Sequence, residues 1–252
     1  MLIECVIPVA PEEVIADGRR AFSIESLAVY LHLTPPQVQR LADRGRLPGR
    51  KVGGQWRFAG AEIHHWMEER MGLLDDGELA HVEGVLERSA GDAHESLTVV
   101  DRLPVEAIEL QLSARTRGKG ILGMAEVAAR TGSLWDPGKM ADAVRAREDM
   151  QPTALDNGVA LLHPRRPLPG ILGGAVLALG ISPSGIPFGG SGGILTDVFF
   201  LICSMDDQGH LQTLARLSRL LAKDQFLDDL RAAEDAAGVH RLVAEHEQEV
   251  LS

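Results

Sequence analysis

The sequence has few aromatic residues and few cysteines. Phenylalanine, tryptophan and tyrosine make up 4% of its 252 residues, so any core must consist of leucine, valine, isoleucine and alanine. The two cysteines, Cys5 and Cys203, lie far apart, which argues against a disulfide scaffold or a thiolate metal site. We expect Cys203, which follows an apolar run, to be a buried, reduced thiol.

The sequence also lacks a hydrophobic run long enough to cross a membrane. The longest apolar stretch, 171–181, is too short and contains glycine. The first residues have no basic flank of the kind that opens a signal peptide. These features predict a cytoplasmic protein with no membrane insertion.

Positive charge is scarce, except in one segment. The formal net charge is −11, so the chain as a whole is not suited to bind a polyanion. Between Gln37 and Arg57, however, Asp43 alone opposes a cluster of basic residues, namely Arg40, Arg44, Arg46, Arg50, Lys51 and Arg57. Such clustering on an acidic chain indicates a local surface for phosphate groups.

Helix and turn signals divide this N-terminal segment. Ser23 is a candidate N-cap, and Thr34 caps a second helix with Pro35 at its first position. Gly45 ends that helix. Residues 51–58 predict a hairpin around a Gly-Gly turn, and 61–71 predict a third helix.

These elements resemble the excisionase and MerR-like family of small winged helix-turn-helix domains. The resemblance rests on Leu47-Pro48 after the second helix, Lys51-Val52-Gly53 entering the wing and Trp56-Arg57-Phe58 leaving it. It implies that the second helix and the wing contact double-stranded DNA. The implied DNA-contacting residues are Gln37, Arg40, Arg44, Arg50, Lys51 and Arg57. The adjacent His64 and His65 point apart on a helix, so we expect no metal site there.

The rest of the chain alternates between strand-like and helical segments. Strand-like runs lie at 159–162, 171–181 and 198–204, whereas 108–112 fits a strand or part of a helix. The helical segments are 120–130, 137–149, a long amphipathic helix starting near His210 and two shorter closing helices. This alternation predicts a layered α/β domain.

Four segments follow from these patterns. We expect an N-terminal extension at 1–20, the helix-turn-helix domain at 21–71, an acidic linker at 72–95 and the α/β domain at 96–252. The linker boundary rests on its run of acidic residues.

The most informative segment of the second domain is 146–165. A helix ends in Arg147-Glu148, a turn contains Pro152-Thr153, and a short apolar strand from Gly158 leads to His163. This pattern resembles the IIA domain of the mannitol/fructose class of the phosphotransferase system, including its nitrogen-regulatory members. The apolar strand before His210 and the closing helices extend the resemblance over about 150 residues. It implies a mixed-sheet, layered IIA-type domain with helices on its faces.

The resemblance also implies the chemistry of the site. His163 is the expected phosphoryl acceptor, because a neutral imidazole is a good nucleophile near neutral pH. Arg147 would compensate phosphate charge, His210 at a helix start would donate to a phosphate oxygen, and Thr153 would add a hydroxyl. The implied donor is an HPr-type carrier. No cofactor or metal is expected, and the domain would be a phosphocarrier rather than a conventional turnover enzyme.

The segment departs from the family pattern in three places. Leu162 stands where the family usually has proline, Pro164 follows the histidine, and the loop from Gly185 to Gly193 is rich in glycine where relatives carry acidic residues. That loop lacks the ending of a P-loop, and we expect a connection rather than a nucleotide site. We expect His240 and His246 to be surface residues.

Three functions remain open. The leading hypothesis is a regulatory phosphocarrier whose state at His163 influences DNA or partner binding in nitrogen or carbon regulation. The second is a transcription regulator with a degenerate IIA-like domain that is not phosphorylated. The third is a sugar-transport IIA component that donates phosphate to a IIB domain. A regulated partner protein and a homodimer also remain open.

Overall fold

The computed structural model describes residues 13–14, 20–31, 33–71, 98–190 and 193–251. The chain separates into two compact units, Met1–Arg70 and Met71–Ser252. Most of the predicted extension and the whole predicted linker, 72–95, lie outside the described residues, as do Cys5, His32, His81 and His94. Among the described residues, no helix combines the length and the apolar character needed to cross a membrane.

The N-terminal unit is a small antiparallel sheet with three helices. The strands pair in the order β1-β2-β4-β3. The elements are β1 (Glu13–Val14), β2 (Arg20–Phe22), α1 (Ile24–Tyr30), α2 (Pro35–Asp43), β3 (Arg50–Val52), β4 (Gln55–Ala59) and α3 (Gly60–Met71). Part of the predicted extension therefore contributes a strand, β1, to this sheet.

The predicted helix and turn signals of this unit are confirmed. Ser23 accepts a hydrogen bond from the amide of Ser26 at 3.2 Å and caps α1. Pro35 is the first residue of α2, and Gly45, with φ of 66°, follows its end. Gly53 and Gly54 have φ of 60° and 82°, the left-handed values that a two-residue hairpin turn requires.

The C-terminal unit contains a mixed four-stranded sheet in the order β5-β7-β8-β6. β5 pairs parallel with β7, β7 antiparallel with β8, and β6 parallel with β8. The strands are β5 (Ile108–Glu109), β6 (Val159–Leu162), β7 (Val176–Ile186) and β8 (Thr196–Cys203). The helices are α4 (Val99–Arg102), α5 (Arg117–Ala129), α6 (Pro137–Glu148), α7 (Asp207–Leu221), α8 (Asp224–Ala232) and α9 (Ala236–Leu251). The predicted mixed-sheet α/β fold is confirmed.

Alternation along β6 places successive side chains on opposite faces of the sheet. Ala160 and Leu162 belong to a buried cluster that includes Met124 of α5 and Val144 of α6. Val159 and Leu161 are equally buried but lie on the other face. A residue that continues the strand after Leu162 therefore starts on the face opposite α5 and α6.

Two predicted segments differ from the structure. The apolar run 171–181 is not one strand: its start forms a 3-10 turn at Pro169–Ile171, and β7 begins only at Val176. Gly173 and Gly174 separate the two parts, which allows the chain to bend before it enters the sheet. The last closing helix, α9, has 16 residues and is not short.

Three smaller predictions can be compared with the packing. Cys203 is buried, as predicted, and burial raises the pKa of its thiol to about 12. His246 is partly buried rather than fully exposed: it packs edge-on against Phe226 at 5.3 Å, and its Nε2 lies 3.3 Å from a carboxylate oxygen of Asp229. The segment from Gly185 to Gly193, for which we expect a connection, is anchored to the core by Phe188, which is buried against Phe199.

Candidate functional site

His163 directly follows β6, a strand buried on both faces. Parallel pairing of Leu162 with Leu201 of β8 fixes the end of the strand. The imidazole is buried, and its Nδ1 lies 2.9 Å from the carbonyl oxygen of Leu161. A carbonyl only accepts hydrogen bonds, so Nδ1 carries the proton and a neutral ring has its lone pair on Nε2.

His210 comes from the first turn of α7. Asp206 caps this helix, with its carboxylate 2.7 Å from the amide nitrogen of Gly209. The ring centroids of His163 and His210 are 4.8 Å apart, with an angle of 50° between the ring planes. The structure thus brings together two histidines that are distant in sequence. A helix N-terminus adds a partial positive charge at this place.

Thr153 is bound to a carboxylate that the sequence prediction did not assign. Glu148 has no exposed surface, and its two oxygens accept from the amide of Thr153 at 3.2 Å and 3.1 Å. The hydroxyl of Thr153 also donates to Glu148. Because that proton is in use, the hydroxyl can offer only its lone pairs to a ligand while the bond is held.

A chain of hydrogen bonds connects this pair to His163. The amide of Leu161 donates to the carbonyl of Thr153 at 3.5 Å, and the carbonyl of Leu161 accepts from His163. Glu148, Thr153 and Leu161 together therefore support the ring of His163. The Arg147-Glu148 motif contained this signal, but sequence alone does not reveal which partner a buried glutamate finds.

Arg147 lies in the last turn of α6 and is 5% exposed. Its Nη1 donates to the carbonyl of Gln151 at 2.7 Å, and its buried Nε has no hydrogen-bond partner among the described residues. Its observed contact thus supports the turn that leads to Thr153, rather than either histidine.

Burial raises the pKa of Glu148 above its ordinary value of 4.5, although Thr153, Arg117 and Arg147 all act to lower it. Of these two cations, Arg117 has its Nη2 3.7 Å from Oε2 of Glu148. The site therefore contains a carboxyl group whose ionised form is disfavoured by its surroundings.

We expect this group to give the folding stability a measurable pH dependence. Because the folded state holds the proton of Glu148 more tightly than the unfolded state, its contribution is fully present below pH 4.5 and is lost as pH rises through the raised pKa. Glu148→Gln keeps an acceptor for Thr153 but does not ionise, so this part of the pH dependence should disappear. Urea unfolding of the whole chain across this window measures it. The exposed Glu106→Gln is the control, and equal pH profiles for Glu148→Gln and wild type would contradict the assignment.

The turn before β6 contains a second feature that the sequence prediction did not assign. Gly158 has φ of 84°. Arg231 of α8 binds both oxygens of Asp197 at 2.8 Å and 2.9 Å and the carbonyl of Asn157 at 2.7 Å. This ion pair fixes the start of the strand that ends at His163.

The predicted DNA-contacting residues of α2 have different environments. Gln37 closes the N-terminus of its own helix, because its Oε1 accepts from the amide and the hydroxyl of Thr34, each at 2.8 Å. Arg40 donates to the backbone carbonyl of Pro36 at 3.3 Å, and Arg44 is the exposed C-cap. Both arginines are exposed, whereas the side chain of Gln37 is held by Thr34.

The wing presents two different faces. Lys51 lies opposite Trp56 in the hairpin, with its Nζ 5.1 Å from the ring centroid. Both side chains contact Oδ1 of Asp43 in α2: Nζ of Lys51 lies 3.8 Å away, and Nε1 of Trp56 donates at 3.2 Å. Arg50 pairs with Arg57, so these two side chains share the opposite face. Arg57 also donates to Oε1 of Gln55 at 3.4 Å. Asp43, which anchors the wing to α2, was not assigned a role from sequence.

Two family models match separate parts of the chain. A family model described as "Phosphoenolpyruvate-dependent sugar phosphotransferase system, EIIA 2" matches residues 102–246, and one described as a helix-turn-helix domain matches residues 21–71. The fructose-specific EIIABC component of the phosphotransferase system from Bacillus subtilis is 23% identical over 154 residues, which cover 60% of this chain and 24% of that protein. The chain thus spans about a quarter of that relative's length.

Two further relatives are nitrogen regulatory proteins. The one from Bradyrhizobium diazoefficiens is 28% identical over 152 residues, which cover 59% of this chain and 95% of that protein. The crystal structure of nitrogen regulatory protein IIA-Ntr from Neisseria meningitidis superimposes with a TM-score of 0.52 at 20% identity, over 57% of this chain and 98% of that one. The latter likeness concerns the fold.

Proposed function

Because the chain belongs to the EIIA 2 family of the phosphoenolpyruvate-dependent sugar phosphotransferase system, whose model matches more than half of it, we propose that it is a regulatory phosphocarrier that accepts a phosphoryl group on Nε2 of His163. The observation that carries the proposal is the 2.9 Å contact from Nδ1 to Leu161. This contact leaves the lone pair of a neutral ring on Nε2, beside the ring of His210.

The transfer needs no cofactor. Nε2 of His163 attacks the phosphorus of a phosphohistidine on an HPr-type carrier. The N–P bond to His163 forms as the N–P bond of the carrier breaks, and the carrier leaves with a free imidazole. The proton on Nδ1 of His163 stays there, hydrogen-bonded to the carbonyl of Leu161. Phosphoryl transfer depends mainly on positioning and on compensation of charge. His210 and the N-terminus of α7 supply donors for the phosphoryl oxygens, and Arg147 and Thr153 support the site from the turn after α6.

Intact-mass spectrometry tests this proposal. The whole chain is incubated with phosphoenolpyruvate, the general phosphotransferase enzyme and an HPr-type carrier, and then analysed at mildly basic pH, with the carrier omitted as control. We expect a single acid-labile gain of one phosphate, and nitrogen–phosphorus NMR should assign the phosphorus to Nε2. No gain with the cognate carrier would favour the degenerate-domain alternative, and phosphorus on Nδ1 would contradict the proposed tautomer.

The regulatory part of the proposal concerns the helix-turn-helix domain. Arg50 and Arg57 on one face of the wing, with Arg40 and Arg44 on α2, form a surface suited to the phosphates and base edges of double-stranded DNA. A phosphohistidine adds about two negative charges to the chain. We propose that the affinity for DNA, or for a partner protein, therefore differs between the two states of His163.

DNA binding of the chain should weaken when the wing loses charge. We expect Arg50→Ala and Arg57→Ala each to reduce the salt dependence of binding by about one unit of slope, because each removes about one phosphate contact. Gln37→Ala should instead destabilise the chain by about 1 kcal/mol through the lost helix cap and leave the slope unchanged. Titrations with duplex DNA at several salt concentrations measure the slope of log affinity against log salt concentration. They are made with both the unphosphorylated and the phosphorylated chain, and Arg130→Ala is the control. Unchanged slopes in the wing variants would contradict the DNA surface.

A further inference from the structure

We propose that Arg102 is a positioning residue for phosphoryl transfer, acting through the backbone that precedes His210. Arg102 ends the short helix α4, and its Nη1 donates to the carbonyl of Gly209 at 3.0 Å and to the hydroxyl of Thr213. Gly209 immediately precedes His210 in the first turn of α7. This inference rests on the proposed function of the site.

The carbonyl of Gly209 is held by two donors. Besides Arg102, the hydroxyl of Thr213 donates to it at 2.8 Å. The amide nitrogen of Gly209 is bound as well, to Asp206 at 2.7 Å. Both polar groups of the residue before His210 are thus fixed by side chains, so the direction in which the His210 ring leaves the helix depends on these contacts.

The helix that carries Arg102 is anchored by a buried carboxylate of α9. Glu247 of α9, which is 2% exposed, accepts from the amides of Val99 and Val100 at 2.6 Å and 3.0 Å and lies 3.5 Å from Nη1 of Arg216. The carboxylate therefore anchors α4, while the guanidinium of Arg102 is directed to α7.

The guanidinium of Arg102 also places a positive charge near the first turn of α7. Burial and the neighbouring Arg216 hold the pKa of Arg102 below its ordinary value, although Asp206, Glu247 and Asp101 act to raise it. Arginine stays protonated under ordinary conditions. Arg102 thus adds a fixed charge behind the first turn of α7, on the helix whose N-terminus faces an incoming phosphoryl group.

A double-mutant cycle tests this role. We expect Arg102→Met to slow phosphoryl transfer from the phosphorylated HPr-type carrier about tenfold in the wild-type background, and to add little in the His210→Ala background. Arg102→Lys, which keeps the charge, should recover part of the rate. Arg130→Met, which breaks the surface ion pair with Glu109 at 2.9 Å, is the matched control and should change neither rate. Equal slowing in both backgrounds, or none in the wild-type background, would overturn the proposal.

A second measurement separates this inference from the proposed function. If the wild-type chain accepts no phosphate, the proposed function fails, and the Arg102 inference is then judged by the imidazole NMR signals of the unphosphorylated chain. Arg102→Met should shift the ring signals of His210 and leave those of His240 in place, with Arg130→Met as the control. Unshifted His210 signals would overturn the positioning role.

Discussion

Alanine at position 163 is expected to abolish phosphate acceptance completely, whereas alanine at position 210 should slow it by about a hundredfold. In the proposed reaction His163 forms the bond to phosphorus, so no other group in the described site replaces it. His210 is expected only to donate to charge that develops during transfer, and loss of one such donor leaves the nucleophile intact. The time course of the mass gain distinguishes a missing reaction from a slow one.

The control for both variants is His240→Ala. His240 lies on α9, not on the elements that carry the pair of rings, so the rate of phosphate gain in His240→Ala should equal that of wild type. An undiminished phosphate gain in His163→Ala would exclude this residue as the acceptor. An unchanged rate in His210→Ala would mean that His210, whose ring lies 4.8 Å from that of His163, only packs against it and takes no part in the transfer.

Gly158→Ala should cost the chain about 3 kcal/mol of unfolding free energy. A Cβ at this position would lie 2.8 Å from Oδ1 of Asp197 and 2.9 Å from Nη2 of Arg231, and φ is +84°. A non-glycine residue would thus be strained and would also separate the ion pair that fixes the start of β6. Urea denaturation measures the loss, and phosphate acceptance should fall because the strand delivers His163.

Gly174→Ala is the matched control for this effect. A Cβ there meets nothing within 4 Å and φ is not in the left-handed region, so the unfolding free energy should change little. If both alanine variants were equally stable, the arginine and aspartate would be free to move aside, and the turn would not depend on glycine.

The fold was predictable where local signals and periodicity agree. Ser23, Pro35 and Gly45 mark helix ends through their own backbone chemistry, and the β6 run 159–162 matched its strand. The start of β7 was not predictable, because the 3-10 turn at Pro169–Ile171 is as apolar as the strand that follows. Hydrophobicity identifies burial there, but not the bend at the two glycines.

The candidate site was predictable only in part, for a different reason. The family pattern pointed to His163 and His210, and the structure places their rings in contact. The partners of Arg102 lie in α7 and those of Asp43 lie in the wing, so no local pattern contains them. Thr153 is close to Glu148 in sequence, but the sequence does not show that the two are hydrogen-bonded. For Thr153 and Gln37, sequence indicated a polar residue in the right segment but not that its hydrogen bonds were already in use.

The short helix α4 bears on where this chain can be divided. The family match begins at residue 102, at the last residue of α4, yet the amides of Val99 and Val100 supply the donors for the buried carboxylate of Glu247. A fragment that starts at residue 102 would therefore leave a negative charge buried without these donors, which is strongly unfavourable. A fragment intended to fold by itself should retain Thr98 and the residues after it. The boundary of sequence similarity and the boundary of the folding unit are thus different places in this protein.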